Sequence, residues 1–257
     1  MIPTPLGEND PAEVLPGAVL ETACSIRRFV VEELRTARRV LSRYGLRGHI
    51  DELEFHVLNE HTSPQEVEAM LSLFDDGQDV GLLSEAGLPA VADPGAALVA
   101  LCHRHGIRVV PLVGPSSLML ALMASGLNGQ SFAFRGYIPA KTDERRAALK
   151  ELEKQSRTLN QSQILIETPY RNDALFADML QTLSPSTQLC VAADITLSTQ
   201  FIQTKTIAQW RKEIPGQARN DDRAGSNSSF AGSGSSFAGL TGESPIGKRP
   251  CVFILLA

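Results

Sequence analysis

Two consecutive strand-turn-helix units between Gln78 and Leu127 constrain the fold most strongly. The apolar runs Val80 to Leu83 and Ile107 to Val113 each end abruptly in Gly, Pro and small polar residues, and an apolar-periodic segment follows each break. Short apolar runs bounded by turn residues and followed by a helical period are typical of parallel sheets covered by helices. Because strand and helix patterns alternate from residue 1 to 127, the sequence predicts a parallel α/β layer.

Capping residues predict where two of the helices begin. Ser63 is typical of an N-cap, with Pro64 at the first helical position and Glu66 at the third. Asp93 and Pro94 have the same relation, so we expect Asp93 to cap a helix that begins at Pro94.

The pattern changes after Gly126. Strand and helix signals continue, but their order favours a mixed sheet, so we predict an N-terminal α/β domain at 1–114 and a C-terminal α/β domain at 115–257. Residues 216–247 are rich in Gly and Ser and cannot bury enough apolar surface to offset their ordering entropy. We expect a mobile or irregular excursion there, joining two strands, with the last strand near the end of the chain.

Composition limits the class of protein without naming a partner. The chain has 257 residues, 43% of them apolar, and a net charge of −5, which argues against a global basic surface for nucleic acid. Its four cysteines are scattered and its five histidines have no ligand spacing, so no metal site is predicted. No apolar run is long enough for a membrane helix, and we expect a cytoplasmic protein.

Five loops are placed to bind a ligand, because ligands of open α/β sheets bind outside the carboxyl ends of the strands. They are Thr4 to Gly7, Ser84 to Pro89, Val113 to Ser117, Ile166 to Arg171 and Ala192 to Asp194. None contains a phosphate-binding GxxxxGK[ST] or GxGxxG motif, and no GxSxG nucleophile motif occurs. These loops therefore favour a cofactor that is held through backbone groups rather than through phosphates.

The segment LLSEAGLPAVADPGAALVALCHRHGIRVVPLVGPSSLMLALMASGL resembles the tetrapyrrole (corrin/porphyrin) methylase superfamily. Within it the chain is most similar to the branch that methylates the ribose 2′-hydroxyl of small-subunit ribosomal RNA. The motifs TPLG, FRGYIPAK and ETPYR also occur in the expected order. The resemblance covers about residues 1 to 215 and the last strand.

The resemblance implies a two-domain α/β fold that binds S-adenosylmethionine between its domains, commonly as a homodimer. It places the cofactor against residues from both halves of the chain. Carried over position by position, these are Pro5, Gly7, Ser84, Glu85, Ala86, Gly87, Pro89, Ser116, Ser117, Glu167, Ala192 and Ala193.

Candidate catalytic residues follow from the chemistry of the acceptor. A ribose hydroxyl loses a proton as it attacks, and a nearby carboxylate can accept that proton or orient the hydroxyl. Glu33 and Glu85 are the candidates, and Arg35, with Arg38 or Arg39, would hold an anionic substrate. Alternatively, Glu33 and Arg35 pair with each other or across a dimer.

Two departures from the branch bear on the substrate. The chain has Glu32-Glu33-Leu34-Arg35 where the branch has E-D-T-R, and Glu85 where Asp is commoner. The leading hypothesis is an S-adenosylmethionine-dependent methyltransferase acting on ribosomal RNA. The alternatives are methylation of a tetrapyrrole or another small molecule, and cofactor binding without catalysis.

Overall fold

The computed structural model describes residues 1–213 and 246–257, and the chain divides into two compact units. The first contains Met1–Leu120 and Thr196–Thr199, and the second contains Ala121–Ile195 and Gln200–Ala257. Nearly all of the Gly/Ser-rich excursion predicted at 216–247 lies outside the described residues. Within the described ranges, no helix is long and apolar enough to cross a membrane.

Three parallel strands form the sheet of the first unit, in the order β2-β1-β3. Its strands are β1 (Arg28–Val31), β2 (Glu54–Val57) and β3 (Val80–Leu83), and its helices are α1 (Pro11–Val14), α2 (Gly17–Ser25), α3 (Leu34–Leu41), α4 (Pro64–Ala69) and α5 (Ala96–Arg104). A further helix, α6 (Ser117–Ser125), contains the boundary between the two units. The predicted parallel α/β layer is confirmed.

The central strand β1 is covered on both faces. Phe29 and Val31 pack into one apolar cluster with Leu41, whereas Val30 packs into a second cluster with Leu82. The side chains of Phe29, Val30 and Val31 are all fully buried. A parallel strand that is buried on both faces is typically a near-continuous apolar run in sequence, and Phe29-Val30-Val31 is such a run.

The N-terminal segment lies beside β3 and continues the sheet with irregular pairing. The Ile2 N–H donates to the Leu82 carbonyl (2.8 Å), and the Met1 amino group donates to the Val110 carbonyl (2.9 Å). Residues 107–113, predicted as a strand, are not a regular strand. Pro111 has no N–H to donate to a ladder, so only isolated bonds such as Leu112 N–H to the Met1 carbonyl form there.

One of the two predicted helix starts is confirmed and the other is wrong. Ser63 and Glu66 form a reciprocal capping box at the start of α4, with Pro64 as its first residue. In contrast, α5 begins at Ala96, after Gly95 with a φ of 125°. That positive φ turns the chain into the helix, so the carboxyl group of Asp93 is left for other contacts.

The second unit is built on a five-stranded mixed sheet in the order β4-β5-β8-β6-β7, as predicted. Its elements are β4 (Phe132–Gly136), α7 (Thr142–Leu159), β5 (Ser162–Glu167), α8 (Asn172–Thr182), β6 (Gln188–Ala193), β7 (Phe201–Thr206), α9 (Ile207–Glu213) and β8 (Cys251–Leu256). Among the described strands of this unit, only β4 and β5 pair in parallel; β8 lies between β5 and β6 and is antiparallel to both.

Buried acids in the second unit have close partners. Asp178 on α8 accepts from the Nε atoms of Arg145 and Arg146 on α7, each at 2.7 Å. Glu153 on α7 accepts from the Ser184 N–H (2.7 Å) and from the Thr187 hydroxyl. These contacts join α7 to α8 and to the loop before β6.

Candidate active site

Three predicted loops of the first unit meet at Gly87. The N–H groups of Thr4 and Gly87 each donate to the other residue's carbonyl (2.8 and 3.1 Å), which joins the TPLG loop to the loop after β3. A Cβ at Gly87 would lie 3.2 Å from Leu6 Cδ2 and 3.5 Å from the Pro115 carbonyl oxygen. The third loop, Val113 to Ser117, therefore reaches the same point.

The TPLG loop is held rigidly against the sheet. The hydroxyl of buried Tyr44 donates to the Pro3 carbonyl (2.7 Å), and burial raises the pKa of Tyr44, so the donor stays protonated. A Cβ at Gly114 would lie 2.1 Å from the Cβ of Pro3, so only glycine fits there. Pro5 is buried, and a Cβ at Gly7 would press on Leu197 at about 3 Å, so this loop is closely packed at both residues.

Exposure differs among the other candidates of the first unit. Ser84, Gly87 and Pro89 are buried, whereas Glu85 and Ala86 are exposed. Ser116 and Ser117 are half-buried at the start of α6. This loop cluster thus combines a packed base with a few accessible groups.

Glu32 and Glu33 are adjacent but have different roles. Glu33 caps α3, accepting from the N–H groups of Arg35 (3.0 Å) and Thr36 (2.6 Å), and these bonds lower its pKa. Glu32, directly after β1, is half-buried and accepts from the Glu85 N–H (3.3 Å). Burial raises the pKa of Glu32, and the negative charges of Asp93, Glu85 and Glu60 raise it further, against a lowering by the Glu85 N–H.

Asp93 lies on the same side of the first unit. Burial raises its pKa, the nearby Ser84 hydroxyl lowers it, and the charge of Glu85 raises it. The buried Oγ of Ser84 has no hydrogen-bond partner of ordinary geometry among the described residues. Glu32 and Asp93 were not among the candidate site residues selected from the sequence. The available signal for Asp93 was its place in the segment after the predicted strand Val80 to Leu83.

The arginines of α3 and of the turn after it are divided by their partners. Arg38 pairs with Asp51, and Arg39 and Arg43 pair with Glu8 at 3.5 and 3.3 Å. Arg35 is exposed and has no ion pair among the described residues. Of the arginines considered for substrate contact, Arg35 is thus the one not already engaged with a carboxylate of the described chain.

In the second unit, the candidates gather at one end of the mixed sheet. Glu167 ends β5 and Ala193 ends β6, and Cys251 of the intervening β8 is paired with both. Ala192 and Ala193 are fully buried. The prediction did not include Asn172, whose Nδ2 donates to the Arg249 carbonyl (2.7 Å) at the start of β8.

Two buried acceptors at this end of the sheet have no donor within residues 1–213 and 246–257. Glu167 Oε1 accepts from the Arg171 Nε (2.9 Å) and the Thr168 N–H (2.7 Å), but Glu167 Oε2 and Asn172 Oδ1 have no hydrogen-bond partner in those ranges. A buried acceptor without a donor costs free energy, so such atoms call for a ligand or water. Amino and hydroxyl donors of an amino-acid nucleoside would satisfy them.

A cavity of about 360 Å³ lies at the opposite, amino-terminal end of the first sheet. Met1, Ile26, Val80, Leu98 and Val109 are among the residues that line it. Since the candidate residues lie at the carboxyl ends of the strands, this cavity is separate from the candidate site.

Comparison with known proteins decides the family. The model of the tetrapyrrole (corrin/porphyrin) methylases matches residues 14–210. The chain belongs to this family. The resemblance seen in the sequence and the methyltransferase class are confirmed, and methyltransferases of this family use S-adenosylmethionine.

Curated relatives are about a third identical to this chain over the aligned residues. The ribosomal RNA small subunit methyltransferase I of Escherichia coli O157:H7 is 32% identical over 86% of this chain and 74% of its own length. The protein of the same name from Vibrio cholerae is 31% identical over 81% of this chain and 68% of its own length.

Solved structures share the fold at low sequence identity. A diphthine synthase matches with a TM-score of 0.61 and 15% identity, over 99% of this chain and 88% of its own. A cobalt precorrin-4 methyltransferase matches with a TM-score of 0.55 and 13% identity, over 98% and 92%. At this identity the likeness shows the methylase fold alone.

Proposed function

We propose that the chain is an S-adenosylmethionine-dependent methyltransferase that acts on a ribose 2′-hydroxyl of small-subunit ribosomal RNA. The observation that supports this choice of substrate is the similarity, over 86% of the chain, to a relative named as a small-subunit ribosomal RNA methyltransferase. That substrate would also place the enzyme in the cytoplasm, with the ribosome.

S-adenosylmethionine supplies an activated methyl group, and the proposed role of the loops is to hold it in line with the acceptor and to exclude water. In the first unit this role falls to Pro5, Gly7, Gly87 and Pro89, with Ser84, Glu85, Ala86, Ser116 and Ser117. In the second unit, Glu167, Ala192 and Ala193 are proposed to bind it, together with Asn172 Oδ1, which has no donor among the residues that the structure describes.

Arg35 is proposed to contact the RNA backbone. Its guanidinium is exposed and has no carboxylate partner in the described chain, so a phosphate contact breaks no ion pair. Because the net charge of the chain is −5, binding would depend on such local contacts rather than on a general basic surface.

The decisive experiment supplies methyl-labelled S-adenosylmethionine with small ribosomal subunits, naked ribosomal RNA or tetrapyrrole precursors. We expect label in the RNA, on a ribose oxygen, as located by nuclease digestion and mass spectrometry. Label in a tetrapyrrole would support the small-molecule alternative. Binding of the cofactor without any transfer would support a non-catalytic homologue.

Gly87→Trp tests the proposed cofactor loops. A large side chain at the junction of three loops should abolish binding of S-adenosylhomocysteine, measured by calorimetry. Gly129→Trp is the matched control, because nothing lies within 4 Å of a Cβ built at Gly129. Equal affinities of the two variants would contradict the assignment of this junction to the cofactor.

We also propose a homodimer. The edge strand β4 exposes Phe132 and Phe134, and Met123 of the same unit is 78% exposed. An apolar sheet edge open to solvent is a common contact surface between chains. Sedimentation should give a dimer that Phe134→Lys converts to a monomer; a wild-type monomer would refute it.

A further inference from the structure

We propose that Glu32 is the group that accepts the proton of the acceptor hydroxyl during methyl transfer. This inference rests on the proposed function and assigns one step of it, the removal of the hydroxyl proton, to the Glu32 carboxylate. It differs from the sequence-based choice of Glu33 and Glu85, because the structure gives the two neighbouring glutamates opposite environments.

Glu33 is poorly suited to take a proton. Both of its carboxylate oxygens are engaged by backbone N–H groups at the start of α3, at 3.0 and 2.6 Å. These bonds lower its pKa, and a carboxylate stabilised in this way is a weaker base. Its contacts are those of a helix cap.

Glu32 has the properties that Glu33 lacks. It follows the central strand β1 directly, at the carboxyl end of the sheet where ligands of such folds bind. It accepts one hydrogen bond, from the Glu85 N–H, and it has no ion pair among the described residues. Burial and the surrounding acids raise its pKa, so it holds a proton more tightly than an ordinary glutamate.

The groups that face Glu32 come from several elements. Glu85 and Asp93 belong to the loop after β3, and Glu60 to the loop after β2. Glu85 is itself held by the hydroxyl of Thr36 on α3, at 3.5 Å. α3 also carries Arg35, the only arginine of α3 without an ion pair in the described chain.

A second observation makes this more than a cluster of acids. Ser84 has a relative exposure of 6%, and its Oγ lies next to the carboxyl group of Asp93 but has no hydrogen-bond partner of ordinary geometry among the described residues. A buried hydroxyl without a partner needs a donor or acceptor from outside the described chain. A ligand hydroxyl beside Ser84 would supply such a partner. It would also lie near Glu32, because Glu32 accepts from the N–H of Glu85, the residue after Ser84.

The proposed step is balanced without a further reagent. The bond between the methyl carbon and sulfur breaks as the bond from the ribose oxygen to that carbon forms. The sulfonium becomes a neutral thioether, and the hydroxyl proton passes to the Glu32 carboxylate, which becomes neutral. Bulk water recovers the proton after the product leaves.

The test compares Glu32→Gln with Glu60→Gln. Gln keeps the size of Glu32 and can still accept from the Glu85 N–H, but it cannot take a proton. We expect kcat on small ribosomal subunits to fall about 10²- to 10⁴-fold, with KM little changed. The wild-type rate should fall as the pH drops through the raised pKa of Glu32, and this acid limb should be absent from Glu32→Gln. Glu60→Gln should keep the limb and move it to lower pH, because one like charge is removed.

A readout that needs no turnover accompanies the rates. In protein labelled with carbon-13 at glutamate carboxyls, the resonance lost in Glu32→Gln should titrate above the ordinary glutamate pKa of 4.5. The inference is overturned if that resonance titrates at or below 4.5, or if Glu32→Gln keeps wild-type kcat and its acid limb. If wild-type enzyme methylates none of the acceptors, the proposed function fails first and this inference fails with it.

Discussion

The acids of the two units are used in contrasting ways. In the second unit, buried Asp178 lies between two arginines, and buried Glu153 accepts from a backbone N–H and two hydroxyls. In the first unit, Glu32, Glu85 and Asp93 face one another and have no ion pair among the described residues. In the first arrangement each buried charge has a partner that offsets its desolvation, whereas like charges that face one another without an ion pair cost stability, as is common at functional sites.

The largest expected effect comes from breaking the buried pair of the second unit. Asp178→Ala would remove the carboxylate partner of the Arg145 guanidinium, whose side chain is only 6% exposed. We expect a loss of about 3–5 kcal/mol in the free energy of unfolding, measured by urea denaturation.

The control for that variant is Asp173→Ala, an exposed acid on the same helix, which should change stability by less than about 0.5 kcal/mol. Similar losses in the two variants would show that the pairing of Asp178 with the arginines of α7 does not account for the stability lost in Asp178→Ala.

A smaller effect is expected where the loops of the first unit pack closely. Gly114→Ala would place a Cβ 2.1 Å from the Cβ of Pro3, so the backbone must shift. We expect a loss of about 1–3 kcal/mol, the usual cost of overpacking, in thermal or urea unfolding. The same change at Gly129, which has open space, should be nearly neutral; an equally neutral Gly114→Ala would show that the loops are not rigidly packed.

The smallest effect should be a gain in stability. Because burial raises the pKa of Asp93 above 3.8, the folded state binds that proton more tightly than the unfolded state, and stability falls as the pH rises through the raised pKa. Asp93→Asn should therefore raise Tm at pH 7, on the order of 1–2 °C for a half-exposed, partly screened group.

Calorimetry at several pH values checks the sign of this effect. The gain should shrink as the pH falls through the raised pKa, where the wild-type carboxyl is already neutral. A lower Tm for Asp93→Asn at pH 7 would show that Asp93 stabilises the fold, as Asp178 does, and would remove the contrast between the units.

Local signals predicted much of the fold. The capping box at Ser63 and Glu66 depends only on neighbouring residues, and the strand Val80 to Leu83 is an apolar run with turn residues on both sides. The helix start at Asp93 was mispredicted because Gly95 can adopt a φ that no pattern of caps reveals. Elements that are encoded by the types of neighbouring residues could be predicted, whereas the helix start that depends on the φ of Gly95 could not.

The candidate site was less predictable, for a different reason. Glu60, Glu85 and Asp93 act on Glu32 only because three strands end at the same edge of a sheet. Glu32 and Glu33 have the same chemistry in sequence, and the start of α3 decides which of them becomes the cap. No property of the residue type could have separated these two neighbours.

The position of β8 has a consequence for biosynthesis. Of the described strands, β8 comes after all the others in the chain, yet it lies between β5 and β6 and pairs with both. Until β8 is synthesised, β5 and β6 of the nascent second unit each have an unpaired edge, whereas the three strands of the first unit have already been synthesised. Synthesis from the N-terminus should thus favour early folding of the first unit. The unpaired strand edges of the second unit would need protection from aggregation until β8 is available.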